Sequence, residues 1–431
     1  MIYENLGINS QGHLTFAGLD TVELAQQYAT PLLLMDEQRL RTRCREYKSA
    51  MQAYLPAGSM PLYASKALSF KTIYRIMEQE GMGIDVVSPG ELYTAVAAGF
   101  PMERAYFHGN SKTDEDIRFA MENHIGCIVS DVAEEIDAID REAARQGISQ
   151  KVILRLSPGI DPHTHDKIST GSIDCKFGAV IENGQALALV KHTLAKEHIT
   201  LLGYHCHIGS QIFDHQPFCD AAVIMLQFLA HAKQELGFEA PVLNLGGGMA
   251  VPYTQTEGTI DYTANIRSIG KLISQTCLQL GIKEPTVLME PGRSIVADSG
   301  ITLYGVTGTK QIPGFKNYAA VDGGMTDNPR YTLYEAAYTV LCANRMNEPK
   351  DFVCTVAGRC CESGDLIQEN VALPEPKRGD LLAVLTTGAY NYSMASNYNR
   401  IPRPPVVMVN QGRTYEAVRR ETYGDLTQYD L

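Results

Sequence analysis

The chain has 431 residues, 45% apolar and 20% charged, with 37 Lys+Arg against 49 Asp+Glu for a formal net charge of −12. This composition excludes a disordered tail, and the acidic balance argues against nucleic acid or an anionic membrane as the principal partner. No apolar run approaches the roughly 20 residues of a bilayer span, the start MIYENLGINSQGHLTF has no signal-peptide character, and the ten cysteines form no CxxC pairs, so a reduced, cytoplasmic protein is expected.

Between about residues 60 and 292 the sequence repeats one rhythm. Eight β-rich runs recur: LYASKA, GIDVVS, AYFHG, GCIVSD, KVILRLSPG, ITLLGYHCHIG, VLNLGGG and TVLMEPG. Helical segments such as TIYRIMEQEG and DAIDREAARQG separate most of them. From Pro217 to Gly237 the residues Ala222, Met225, Leu226, Leu229 and Leu236 share one helix face, and the glycine marks its end. Alternating strands and amphipathic helices predict parallel βαβ units, and eight units predict a (β/α)8 TIM-type barrel over 36–292. An open doubly wound α/β sheet is the alternative.

After the barrel the texture changes to β-branched and aromatic runs, including GITLYGVTGT, NYAAVDGG, DFVCTVAG and DLLAVLTTGAY. VVMVNQGRTYEAVRR reads as a hairpin turning at Asn410–Gly412. A mostly β C-terminal domain, sandwich- or barrel-like, is therefore expected over 293–431. The N-terminal segment 1–35 fits the barrel poorly and is expected to join it.

The chemistry of a barrel sits at the C-terminal ends of its strands, and the unusual residues of this chain fall there in sequence. Lys66, Asp85, His108, Arg155, the pair His205 and His207, Gly246 to Gly248, and Glu290 to Arg293 each end one run. Alone, Lys66 is a snorkelling lysine or an amine whose pKa a low-polarity barrel mouth depresses enough for Schiff-base chemistry. Gly246, Gly247 and Gly248 are a flexible turn or a close backbone approach to an anion. Their place after the seventh run favours a phosphorylated ligand. His205 and His207 point to one side of a strand. They suit a divalent metal, a flat aromatic ligand or a satisfied core, and no carboxylate with a further histidine completes a metal set, so no metal is expected. Glu290 and Arg293 either pair with each other or hold the ring nitrogen and the phosphate of a heteroaromatic. Cys360 and Cys361, flanked by Arg359 and Glu362, read as an exposed loop.

Taken together, YASKA, DVVSPGEL, HGNSK, HTHDKISTG, HCHIGSQ, GGG, EPGRS, DNPRYTLY, CESGD and GAYNYSMASNYN run in the order found in one family. The chain resembles the diaminopimelate decarboxylases, among the barrel-type, fold type III PLP-dependent decarboxylases, over essentially its whole length. The resemblance implies pyridoxal 5'-phosphate as cofactor and a homodimer with shared active sites. Lys66 resembles the lysine that carries PLP, His207 the histidine stacked on its ring, and Glu290 the partner of its pyridine nitrogen. Ser210, Gly246, Gly247, Gly248, Pro291, Gly292, Arg293 and Tyr390 are implied on the phosphate side, with Asp85 also at the cofactor. Cys361, on a loop from the partner subunit, resembles the catalytic proton donor, and Glu362 the group that recognises a substrate ammonium.

Diaminopimelate ends in a second carboxylate, whereas ornithine and lysine end in a bare ammonium, so a diaminopimelate site needs a guanidinium and hydroxyls at its far end. Arg330 and Tyr334 resemble that pair, with Arg293 and Tyr390 also on the substrate side. The expected reaction is decarboxylation of meso-diaminopimelate at its D-configured centre to L-lysine, the last step of lysine biosynthesis. Cys175, Arg359 and Leu68 stand where the family commonly has Ser, Pro and Asn; none of these departures removes a proposed catalytic group. The alternatives are a decarboxylase of another basic or carrier-linked amino acid and a non-catalytic PLP-binding protein; the latter has no need of the long β domain or CESGD. A metal-dependent hydrolase is a distant third.

Overall fold

The eight predicted runs become eight parallel strands: β1 (Met60–Ala64), β2 (Gly83–Val86), β3 (Ala105–Phe107), β4 (Cys127–Ser130), β5 (Gln150–Ser157), β6 (Ile199–His205), β7 (Val242–Asn244) and β8 (Thr286–Met289). Each pairs with the next, and β8 closes on β1 through Leu288 opposite Met60 and Met289 opposite Pro61. Closure rules out the open doubly wound sheet. These strands belong to one compact unit of the computed structural model, Arg43–Ala250 with Ile260–Gly292. The second unit comprises Met1–Thr42, Val251–Thr259 and Arg293–Leu431. The structure describes residues 3–160 and 175–431; HTHDKISTG lies outside them.

Local chemistry explains the helices between the strands. Lys71–Gln79 buries Ile73, Tyr74, Ile76 and Met77 on one face. Gln216–Leu236 buries Ala222, Met225, Leu226 and Leu229 and ends on Gly237 at φ 69°, a left-handed cap that glycine adopts without strain. Inside the barrel, Leu62, Val129, Ile153 and Leu288 pack together. Truncating Leu62 to alanine there would cost about 2–5 kcal/mol. Because all eight strands run the same way, their C-terminal ends converge on one face.

In the second unit the strand Gly300–Ile312 is the spine, pairing antiparallel with Leu32–Asp36, Lys316–Val321 and Leu381–Leu385. Leu32–Asp36 also pairs in parallel with Val406–Asn410, so the N-terminal segment is sewn into the C-terminal sheet. Leu32, Leu34, Ile301, Leu303, Leu385 and Val407 share its core with Leu14 and Phe16. The predicted hairpin joins Val406–Asn410 to Arg413–Val418. Its two loop residues, Gln411 and Gly412, both have positive φ, as the twist of a two-residue hairpin requires. Among the described residues no helix is long and apolar enough to cross a membrane.

Candidate active site

At the mouth of the barrel a cavity of about 300 Å³ is lined by Lys66, Asp85, His108, Arg155, His205, His207 and Glu290, together with Gly109, Asn110 and Phe177. Seven of the strand-end residues picked out by the sequence thus meet in one place, while Gly246 to Gly248 and Arg293 are not part of this lining. Lys66 lies in the turn Ser65–Ala67 directly after β1. Its neighbours Ser65 and Ala67 are buried while Lys66 itself is exposed on the cavity side.

Glu290, 7% exposed, follows β8 and is gripped from three sides. Asn244 Nδ2 donates to Oε1 at 2.7 Å, His205 Nε2 lies 3.2 Å from Oε2, and His108 Nε2 lies 2.8 Å from Oε1. Burial by itself would raise the carboxyl pKa, but the two histidines outweigh it and hold Glu290 well below the ordinary range. Burial drives His205 down to about 4. Its Nδ1 is buried without a partner among the described residues, which fits a neutral ring carrying its proton on Nε2. His205 and His207 suited a metal, a flat aromatic ligand or a satisfied core by sequence; among the described residues the one set of possible metal ligands is His108, His205 and Glu290, within 4.8 Å of one another. The further histidine and carboxylate not found from sequence are therefore present, engaged with each other at hydrogen-bonding distances.

His207 lines the same cavity, and the N–H of Gly247 donates to its Nδ1 at 3.3 Å. Burial, then the cations Lys66 and Arg155, keep it neutral. Asp85, 3% exposed on β2, has Oδ1 without a partner among the described residues, and burial raises its pKa.

The glycines have a packing reason as well as a ligand reason. A Cβ on Gly247 would sit 2.0 Å from the Glu290 carbonyl oxygen, and one on Gly248 2.4 Å from that of Gly209. Gly246 N–H donates to Asn244 Oδ1, so two of the three amides bind protein groups. The bridge between Ile212 and Met249 brings the Ser210 loop beside them. Pro291 accepts from the N–H of Ala64, and Gly292 packs on Ala64, lacing β8 to the Lys66 turn. The HGNSK loop is fixed by Lys112, whose Nζ donates to Gly109 O at 2.5 Å, Val129 O at 2.7 Å and Glu135 Oε1 at 2.9 Å.

The β unit holds a second cluster. Arg293 and Arg330, both buried, donate to the Tyr253 hydroxyl at 2.7 and 3.1 Å. Arg330 also donates to Tyr338 Oη at 3.1 Å, and Tyr338 donates to Asn391. The Tyr390 ring lies under both guanidiniums, 4.8 Å from Arg293 and 5.9 Å from Arg330. Burial would push the Tyr253 phenol up; the two guanidiniums outweigh it and hold it below its ordinary value. Tyr334 ends the short helix Arg330–Tyr334 and is half-buried.

Cys361 and Glu362 are exposed on their own loop, where Cys361 N–H donates to Asn399 Oδ1 at 2.8 Å. Cys360 is half-buried, and burial pushes its thiol up to about 12. Asp365, buried, organises this loop by accepting from Met325 N–H and Cys360 N–H at 2.6 and 2.7 Å.

Sequence reading missed Asn244, Tyr253, Tyr338 and Asp365 as site-building residues. A polar Asn ending the apolar run VLN was a signal for the first, and the aspartate of CESGD for the last. Nothing marked the tyrosines.

Residues 37–297 match the model for the pyridoxal-dependent decarboxylase, pyridoxal binding domain family. The chain is 47% identical to diaminopimelate decarboxylase of Bacillus subtilis (strain 168), over 98% of this chain and 96% of the relative. A crystal structure of diaminopimelate decarboxylase from M. jannaschii in co-complex with L-lysine superposes with a TM-score of 0.91 at 34% identity, covering 99% of this chain and 98% of that one. The enzyme from Helicobacter pylori, also complexed with L-lysine, gives 0.86 at 31% identity over 95% and 98%. With this likeness running the length of both chains, and with the barrel-mouth residues gathered around one cavity, the chain belongs to the diaminopimelate decarboxylase family.

Proposed function

We propose that the protein decarboxylates meso-2,6-diaminopimelate to L-lysine and CO₂ with pyridoxal 5'-phosphate as cofactor, acting as a cytoplasmic homodimer with shared active sites. The observation that carries the reading is an ionised Glu290 held by His108, His205 and Asn244 in the same cavity as the Lys66 amine. An amine, a fixed carboxylate and a neutral imidazole face are the donor set that a flat heteroaromatic aldehyde with a ring nitrogen requires, and Asp85 Oδ1, without a partner among the described residues, is a further polar atom for it. The residues present therefore fit the cofactor.

When bound, the cofactor supplies the electron sink that takes up the pair left on the α-carbon as CO₂ departs. Lys66 Nζ is the amine that carries it, and Glu290 holds a proton at its ring nitrogen, which makes the sink strong. His207 offers its flat neutral face. Ser210, Gly246 to Gly248, Pro291, Gly292, Arg293 and Tyr390 serve its phosphate side. Cys361 of the partner subunit donates its Sγ proton to the α-carbon in place of the lost carboxylate, and Glu362 receives an ammonium.

Arg330 and Tyr334 recognise the distal carboxylate. Among the described residues no carboxylate pairs with Arg330, whose acceptors are two phenols. A buried guanidinium without a counter-anion is costly; it suits a dicarboxylate and disfavours the bare ammonium end of ornithine or lysine. The L-lysine bound in the M. jannaschii and Helicobacter pylori structures is the expected product.

The test is CO₂ release by PLP-loaded protein with meso-diaminopimelate, L-ornithine and L-lysine in parallel. Release from diaminopimelate alone, with lysine formed, is the expected result. Release from ornithine or lysine overturns the substrate assignment, and silence with all three despite bound PLP overturns the reaction.

A further inference from the structure

Tyr253 lies in Val251–Thr259, which follows the seventh barrel strand in sequence yet belongs to the β unit. Its backbone is pinned at both ends, the N–H donating to Glu257 Oε2 at 2.5 Å and the carbonyl accepting from Thr339 Oγ1 at 2.9 Å. Its ring packs edge-on to Tyr338 with centroids 5.5 Å apart. The hydroxyl is thus held rigidly, and Arg293 and Arg330 both donate to it.

Two buried guanidiniums so placed repel each other, and an acceptor shared between them offsets part of that repulsion and fixes their relative direction. We propose that Tyr253 is a specificity-determining positioning residue, whose hydroxyl sets the spacing and direction of Arg293 and Arg330 so that they receive a carboxylate at the far end of the substrate. This rests on the reading of Arg330 given under Proposed function. Removing the hydroxyl leaves the cations in place but unaimed, so binding of a distal carboxylate is lost while the steps at the α-carbon continue.

The experiment compares Tyr253→Phe and Arg330→Ala holoenzymes with wild type. The readouts are KM and kcat for meso-diaminopimelate, and inhibition by the dicarboxylate pimelate against D-norleucine, an α-amino acid with no carboxylate at its far end. For Tyr253→Phe, KM and the pimelate inhibition constant are expected to rise roughly tenfold. Its kcat and D-norleucine inhibition should stay within about threefold. A merely structural role would move all of these together, and that result overturns the proposal. An unchanged KM in Tyr253→Phe beside a raised KM in Arg330→Ala overturns it alone; an unchanged KM in both removes the distal-carboxylate reading beneath it. If Tyr253→Phe does not fold, Tyr253→His, which moves the acceptor, decides the same split between pimelate and D-norleucine.

Discussion

In the barrel unit the carboxylate of Glu290 meets an amide and two imidazole nitrogens; in the β unit the guanidinium of Arg330 meets two phenols and, among the described residues, no carboxylate. Both charges are buried, at 7% and 8% exposure. The anion is satisfied by the protein that surrounds it. The cation is steered by neutral oxygens and keeps its full charge. A group that must hold a proton on a permanent partner is best fixed before that partner arrives, whereas a group that must capture and release a substrate carboxylate cannot already own one. The difference separates chemistry from recognition: damage in the barrel cluster should fall on turnover, and damage in the β cluster on affinity.

The strongest test of this division is Lys66→Ala, expected to lower turnover by about 10³-fold or more. Borohydride reduction should fix the cofactor to Lys66 in wild type; label on another lysine would falsify the assignment. Next is Glu290→Gln, which keeps the shape and removes the charge. It should lower kcat by about 10²–10³ with KM for diaminopimelate little changed, and a pure KM effect would break the comparison. Cys361→Ala should slow turnover by about 10²-fold while PLP stays bound. Mixing it with Lys66→Ala subunits should restore part of the activity, and no recovery would mean that each subunit is self-sufficient.

The smallest effect is on stability. His205 titrates near pH 4 when folded and near 6.5 when unfolded, so between those values the unfolded chain binds the extra proton. Its contribution is complete above about pH 6.5 and fades as pH falls toward 4. Going from pH 7 to 5, wild type should lose up to about 2 kcal/mol more than His205→Gln, read from unfolding midpoints. Equal losses in both proteins would remove His205 as the group responsible.

Periodicity alone determined a good deal here. Runs of β-branched residues alternating with helical faces specify parallel βαβ units, and eight of them specify a barrel whose strand ends collect Lys66, Asp85, His207 and Glu290. The Asn410–Gly412 hairpin was legible for the same reason, since its signal is local. Pattern left closure open, because a doubly wound sheet has the same rhythm; that was settled by the pairing of β8 with β1, more than 200 residues apart in sequence.

Tertiary structure by itself decided which polar groups meet. Asn244 and His205 reach Glu290 across 46 and 85 residues, and Tyr253 reaches Arg293 and Arg330 across 40 and 77. Hydrophobic periodicity reports which face of an element is buried, and it carries no record of the partner a buried polar atom finds there. In the sequence Asn244 only ends the apolar run VLN, and nothing marks Tyr253. Each acquires its role where the chain folds back to put a charge beside it.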